Sequence, residues 1–239
     1  MKLKRILKII GGLIVFFTLP TFLLFGFLYL KYDQNLPQGQ QGPEADELAR
    51  NMLEALNVNA YINTDYLEWT FKGIHHYKWF KTDATCEVSW DHMTVTLDFK
   101  NHMNSKVSAA GAVYNGKDKK KFIDKAINYF NNDSFWLVAP YKLFDPGVER
   151  RLVKLEEGKN ALLVTYTSGG STPGDSYLWH LNDDNFPKSF QMWVRILPIK
   201  GLEASWDEWI TTESGAHLPT LHNLLFLNLD MGKVKGLKL

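Results

Sequence analysis

Several places in this 239-residue chain bring together residue types that could do chemistry. Gly111-Ala-Val-Tyr-Asn-Gly116-Lys117-Asp118 departs from the phosphate-cradling pattern GxxxxGK[ST] only at its last position. There the pattern needs a hydroxyl for Mg²⁺, whereas Asp118 would set a carboxylate beside the phosphates. No parallel-sheet pattern surrounds the segment. A strand–turn–helix junction is the simpler reading, with Asp118 near a helix start, where negative charge is favoured. Gly170-Ser-Thr-Pro-Gly174 is not a nucleophile elbow, because Thr172 holds the central place; it reads as a turn. His75 and His76 are adjacent on a strand, so they point to opposite faces and cannot easily share a metal. His92 and His102 add no ligand spacing. Cys86 is the only cysteine, which excludes an intrachain disulfide; alternating with polar neighbours, it reads as a small core residue. Asp175, Glu203, Asp207 and Glu208 are the acids to inspect for acid–base work, but their spacing fits a solvated strand face. Asn132-Asp133-Ser134 is a glycosylation sequon, a weak signal. The expectation is therefore a protein with no enzymatic activity, no metal site and no cofactor.

Charge placement points to a membrane. Lys2, Lys4, Arg5 and Lys8 put four positive charges in segment 1–8, and the rest of the chain holds 23 of the 27 basic residues against all 26 acids. A nearly neutral remainder has no basic face for nucleic acid. Residues 9–30 carry no charge. At 1.5 Å per residue they reach about 33 Å, enough for a hydrocarbon core of roughly 30 Å. Basic residues before the span place the N-terminus in the cytoplasm, with Tyr29 and Tyr32 at the interface. A cleaved signal peptide would have a shorter apolar region ending in small residues; here Leu-Tyr-Leu-Lys-Tyr follows. The expectation is a retained single-pass anchor in the inner (cytoplasmic) membrane, with the domain in the periplasm or outside. Residues 31–43 (with QNLPQGQQGP) read as a linker.

Residues 44–229 then form one domain. Aromatics make up 14% of the chain, and all eight Trp lie between Trp69 and Trp209, which excludes disorder. Ala45, Leu48, Ala49, Met52 and Leu56 share a helical face, and Phe122, Ile123, Ala126, Ile127 and Phe130 share another. Between and after them the period is two. Leu67/Trp69/Phe71, Tyr77/Trp79, Cys86/Val88/Trp90 and Met93/Val95/Leu97/Phe99 each alternate with polar residues, as strands with one buried face do. Further strands are expected at 135–138, 148–155, 161–168, 176–182, 188–196, 202–212 and 217–226, and a fraying tail at 230–239. The fold class is α+β, mainly antiparallel β: a curled sheet or open half-barrel of about 10–11 strands, with two helices covering the concave face.

Two stretches hold most information. Phe135-Trp-Leu-Val-Ala-Pro-Tyr-Lys-Leu-Phe-Asp-Pro-Gly-Val148 reads as an apolar strand entering a turn. In Thr172-Pro-Gly-Asp-Ser-Tyr-Leu-Trp-His-Leu-Asn182, Tyr177 and Trp179 share one face and Leu178 and His180 the other. Core packing and turn chemistry account for both; so does the rim of an apolar pocket. These stretches, with TFKGIHHYKWF and TVTLDF, resemble uncharacterised bacterial extracytoplasmic proteins whose fold is similar to the LolA lipoprotein-carrier family. The resemblance spans roughly residues 44–226. It implies an unclosed β-barrel plugged by helices and an apolar cavity for acyl chains.

The leading expectation is an envelope protein that binds a lipid, a lipoprotein acyl chain or another apolar ligand. Each buried CH₂ would contribute about 0.8 kcal/mol. Trp69, Trp79, Trp90, Trp136, Trp179 and Tyr177 would line the cavity; Tyr141, Lys142 and His180 would sit on its rim. The competing reading is a non-enzymatic scaffold or interaction domain whose core is filled by its own side chains.

Overall fold

A computed structural model describes residues 2–169 and 172–239; the Gly170-Ser171 part of the Gly-rich turn falls outside them. Helix α1 (Lys2–Tyr32) is followed by α2 (Pro43–Ala55), α3 (Val58–Ile62) and six strands: β1 (Tyr66–Phe71), β2 (His75–Phe80), β3 (Thr85–Trp90), β4 (Met93–Asp98), β5 (Lys106–Ala109) and β6 (Ala112–Val113). Helix α4 (Lys119–Val138) leads to ten more: β7 (Val148–Lys154), β8 (Asn160–Tyr166), β9 (Ser176–Leu181), β10 (Pro187–Trp193), β11 (Leu202–Ser205), β12 (Ile210–Thr211), β13 (His217–Leu218), β14 (Leu221–Leu224), β15 (Leu227–Asp230) and β16 (Lys235–Leu237).

The strands form two seven-stranded antiparallel sheets and a β12–β13 pair. Sheet I runs β16-β1-β2-β3-β4-β5-β6, and sheet II runs β15-β14-β11-β10-β9-β8-β7. The sheets meet at one corner, where Thr70 N–H donates to the Met231 carbonyl (3.0 Å) and Lys72 N–H to that of Asp230 (2.8 Å). From there the surface curls round to a free edge at β6 and to β7, whose outer side is bridged by Gln40 at Leu152. The result is an open barrel, as the alternation of buried and exposed residues demands. Helix α4 lies inside the curl against β3, β4 and β5, and α2 covers β7 and β8. One buried cluster joins Ala49 and Met52 of α2, and Leu56 just after it, to Ile123, Ala126 and Phe130 of α4 and to the inward faces of both sheets.

Three expectations are corrected. Segment 135–138 is the end of α4, not a strand. Its run of four apolar residues has no alternation to read, and burial continues at helical spacing through Ala126, Phe130, Asp133/Ser134 and Leu137. Pro140, which has no N–H to donate, ends the α-helical ladder in a short 3₁₀ turn. The described residues hold sixteen strands, because β5, β6, β15 and β16 are four residues long or shorter, too short to show a period, and segments 202–212 and 217–226 each break into two strands. The tail does not fray: β16 pairs with β1, Leu237 opposite Tyr66 and Lys235 opposite Glu68, with a 3.0 Å ion pair between the last two.

Residues 33–42 join α1 to α2, but they do so along the outer wall of the domain. Gln34 N–H donates to the Lys200 carbonyl (2.9 Å), and Gln40 and Leu152 exchange two backbone hydrogen bonds of 2.8 Å. Gly39 allows that approach, since a Cβ there would stand 2.5 Å from the Arg151 Cβ. Beneath lies a second apolar cluster of Val153, Ala161, Leu163 and Leu178, flanked by Leu155 and Trp193.

Candidate functional site

The interior of the curl is where a ligand was expected, and aromatic rings occupy it. On the sheet I side Trp69 stacks on Tyr77 with ring centroids 4.5 Å apart, and Trp79 meets Phe130 edge-on at 5.1 Å. Trp90 meets Tyr129 at 5.5 Å, with the Lys125 ammonium over both rings. On the sheet II side Tyr177 lies 4.5 Å from Phe135. Trp179 lies 5.1 Å from Phe190 and 5.0 Å from Trp206, and Trp136 is 5.6 Å from Phe190. Such separations are those of packed aromatic pairs. Helix α4 links the two sides, because Tyr129 and Phe130 serve the first and Phe135 and Trp136 the second. Trp69, Trp90, Tyr177 and Trp179 are buried; Trp79 and Trp136 are partly so.

The three rim residues lie apart in chemistry. Tyr141 is buried; its hydroxyl lies 2.9 Å from the Leu56 carbonyl and 2.6 Å from that of His217, and its ring stacks on Tyr61 at 4.0 Å. Lys142 is half-exposed and pairs with Asp145 at 2.6 Å. His180 Nε2 lies 3.2 Å from Gln191 Oε1, on the face opposite Tyr177 and Trp179. Two hollows of about 510 and 340 Å³ lie elsewhere. The larger is between Pro37–Gln40 and Leu152–Lys154, the smaller among Arg50, Leu53, Glu54, Asn57, Val58 and Asn59.

Some polar atoms remain inside. The indole nitrogens of Trp69, Trp179 and Trp206, the Tyr166 hydroxyl and His222 Nε2 make no hydrogen bond. His222 is fully buried, with its ring 4.4 Å from Trp206 and 5.2 Å from Trp136. Its Nδ1 donates to the Ser205 carbonyl (3.0 Å). Burial pushes its pKa down to about 4, against the opposing pull of the Ser205 and Trp136 carbonyls.

Sequence reasoning missed one polar cluster. Asp133 of α4, 1% exposed, accepts hydrogen bonds from His75 Nδ1 (2.6 Å), the Tyr77 hydroxyl (2.5 Å) and Asn132 Nδ2 (2.8 Å). The His75 ring stacks on Tyr129 at 3.8 Å. Burial, and then the Asp133 carboxylate, hold the Tyr77 phenol protonated far above its ordinary value. A carboxylate on Nδ1 is how enzymes orient a histidine base. Here the same carboxylate also holds a phenol and ties α4 to β2. The signal was hidden because residues 75 and 133 are related only through the helix packing.

The other candidates are locally engaged. Asp175 accepts from Thr172 and from the Arg195 N–H, Glu203 from Ser189, and Asp207 from Ser205 and Asn223. Cys86 is buried, and burial raises its thiol pKa. Among the described residues no three His, Cys, Asp or Glu stand together as metal ligands. Asp118 precedes α4.

No protein-family model matches the chain, and no curated protein matches it. Among solved structures, the fold is similar to that of a DUF1329 family protein from Desulfovibrio piger ATCC 29098, determined at 1.75 Å resolution. The TM-score is 0.42 at 8% identity, over 80% of this chain and 92% of that one. A likeness so distant carries no residue, ligand or activity across.

Proposed function

We propose that this chain is a single-pass envelope protein of the inner membrane, with its N-terminus in the cytoplasm, whose outer domain acts as a non-catalytic interaction module. The observation that carries this reading is the filled interior. The rings that would line an acyl-chain cavity pack on one another instead, with Trp69, Trp179, Phe190 and Trp206 at 2% exposure or less. Helix α1 supplies the anchor: residues Leu3–Tyr32 are long and apolar enough to cross a bilayer, and the most apolar stretch of that span is not buried in the domain. The four basic residues before the apolar run set its orientation.

A second reading, an apolar ligand held in the domain, is favoured by the unpartnered indole nitrogens and the Tyr166 hydroxyl, which a polar end of such a ligand would satisfy. One experiment separates the two. The full chain in phospholipid vesicles is irradiated with a photoreactive fatty acid, and the labelled peptides are identified. Label confined to α1 and the surface supports the interaction module; label on peptides holding Trp69, Trp179 or Trp206 overturns it in favour of the ligand reading. Orientation is read from alkaline phosphatase fusions, active after Leu239 and inactive after Lys8.

A further inference from the structure

The loop after β10 is fastened to the end of the membrane helix. Leu28 and Tyr32 of α1 pack against the domain core. Asp33 Oδ1 accepts the Lys200 N–H (2.8 Å), the Trp193 indole donates to the Gln34 carbonyl (2.8 Å), and Gln191 Nε2 donates to Gln34 Oε1 (3.1 Å). Both ends of segment 194–199 are thus tied to residues 33 and 34. The loop is also held from within, because Lys200 Nζ donates to the carbonyls of Val194 (2.6 Å) and Leu197 (3.0 Å). Val194 and Ile199 turn into the core, at 4% and 6% exposure, while Ile196 stands out at 69%.

Height decides what Ile196 meets. Asp33 lies three residues beyond Leu30, the last apolar residue of the span, or about 5 Å at helical rise. The headgroup layer on each side of the hydrocarbon core is roughly 5–8 Å thick. A loop hydrogen-bonded to Asp33 therefore emerges within that layer. It carries one exposed isoleucine beside exposed Arg195, an apolar contact next to a cation suited to phosphate groups. Lys31, whose ammonium lies over the Tyr32 ring, is at the same level.

We propose that segment 194–199 is a second membrane contact, with Ile196 seated among the headgroups of the bilayer that holds α1 and Arg195 at the phosphates. Two attachments, a helix and a loop, then fix the tilt of the outer domain over the surface. The inference rests on the reading of α1 as the anchor, and its test separates the two. The full chain is reconstituted in phosphatidylethanolamine–phosphatidylglycerol vesicles as Ile196→Cys, Leu24→Cys or Val113→Cys, each labelled with an environment-sensitive dye. Native Cys86 is fully buried and stays unlabelled. Lipids with a nitroxide near the headgroup or deep in the acyl chain serve as quenchers. The expected result is loss of Ile196→Cys fluorescence with the shallow nitroxide, loss of Leu24→Cys fluorescence with the deep one, and no loss at Val113→Cys, which is on β6. Leu24→Cys quenched, with Ile196→Cys no more affected than Val113→Cys, overturns the loop contact and leaves the anchor standing. No quenching of Leu24→Cys overturns both.

Discussion

His75 Nδ1 lies 2.6 Å from the Asp133 carboxylate, across 58 residues of sequence. The pair is the buried polar joint between α4 and sheet I. Asp133→Ala strands two donors, the His75 ring and the Tyr77 hydroxyl, inside an aromatic cluster. Each buried donor left without a partner costs about 1–3 kcal/mol. Asp133→Asn keeps the shape and one acceptor oxygen, so its loss is smaller. Urea unfolding of the full chain in micelles checks the order; a loss below about 1 kcal/mol for Asp133→Ala would mean that solvent screens the pair.

Trp179, fully buried between Phe190 and Trp206, measures how well the interior is filled. Trp179→Ala removes the indole from a packed site, at a cost of about 3–5 kcal/mol, and opens an apolar void. The native chain is expected to take up no benzene or indole, and the variant to be restabilised by either in a thermal melt. Equal uptake by both proteins would place a cavity in the native fold.

What the residues made legible follows from periodicity and its limits. β1 to β4 are six residues long, and alternation marked each of them; β7 to β10, six or seven residues long, were legible as strand segments between turn signals, although β8 and β9 each bury four residues in a row. The apolar run 9–30 could be read by length alone. The end of α4 could not: Phe135-Trp-Leu-Val suits a buried strand and a buried helix equally, and only the room inside the curl decides. The same limit hid the interior. A period of two puts Trp69, Trp90 and Trp179 on inward faces, but whether those faces enclose space depends on where α4 lies. That placement is set by contacts such as Phe130 on Trp79 and Trp136 on Phe190, which no local pattern encodes.

His222 gives the domain a defined acid response. Its pKa falls from 6.5 to about 4 in the folded chain, chiefly through burial. Between those values the unfolded chain binds the proton and the folded chain does not, so stability falls as pH drops from 6.5 towards 4. The full effect is about 3 kcal/mol at 1.36 kcal/mol per pKa unit. Acid changes the charge of the whole chain, so the readout is a difference between two proteins. His222→Gln retains a donor for the Ser205 carbonyl and carries no titrating ring. Its stability deficit relative to the native chain is expected to shrink steadily from pH 7 to pH 4. Parallel stability curves for the two proteins would show that His222 is protonated as readily folded as unfolded.

The corner between the sheets turns on Gly232. Its φ is 62°, and an added Cβ would stand 2.2 Å from Thr70 Oγ1. The residues after it carry the chain from β15 to β16, which covers the β1 edge. Gly232→Ala meets two penalties, the left-handed backbone, at about 1–2 kcal/mol for a residue with a Cβ, and the clash with a β-branched neighbour on β1. Deleting residues 233–239 removes β16 outright and exposes the row of β1 backbone groups from Tyr66 to Glu68. An open edge of that kind recruits other strands, so the truncated chain is expected to self-associate in size-exclusion chromatography, whereas Gly232→Ala unfolds earlier and stays monodisperse. Native-like melting of both variants would mean that the tail adds nothing to the sheet it borders.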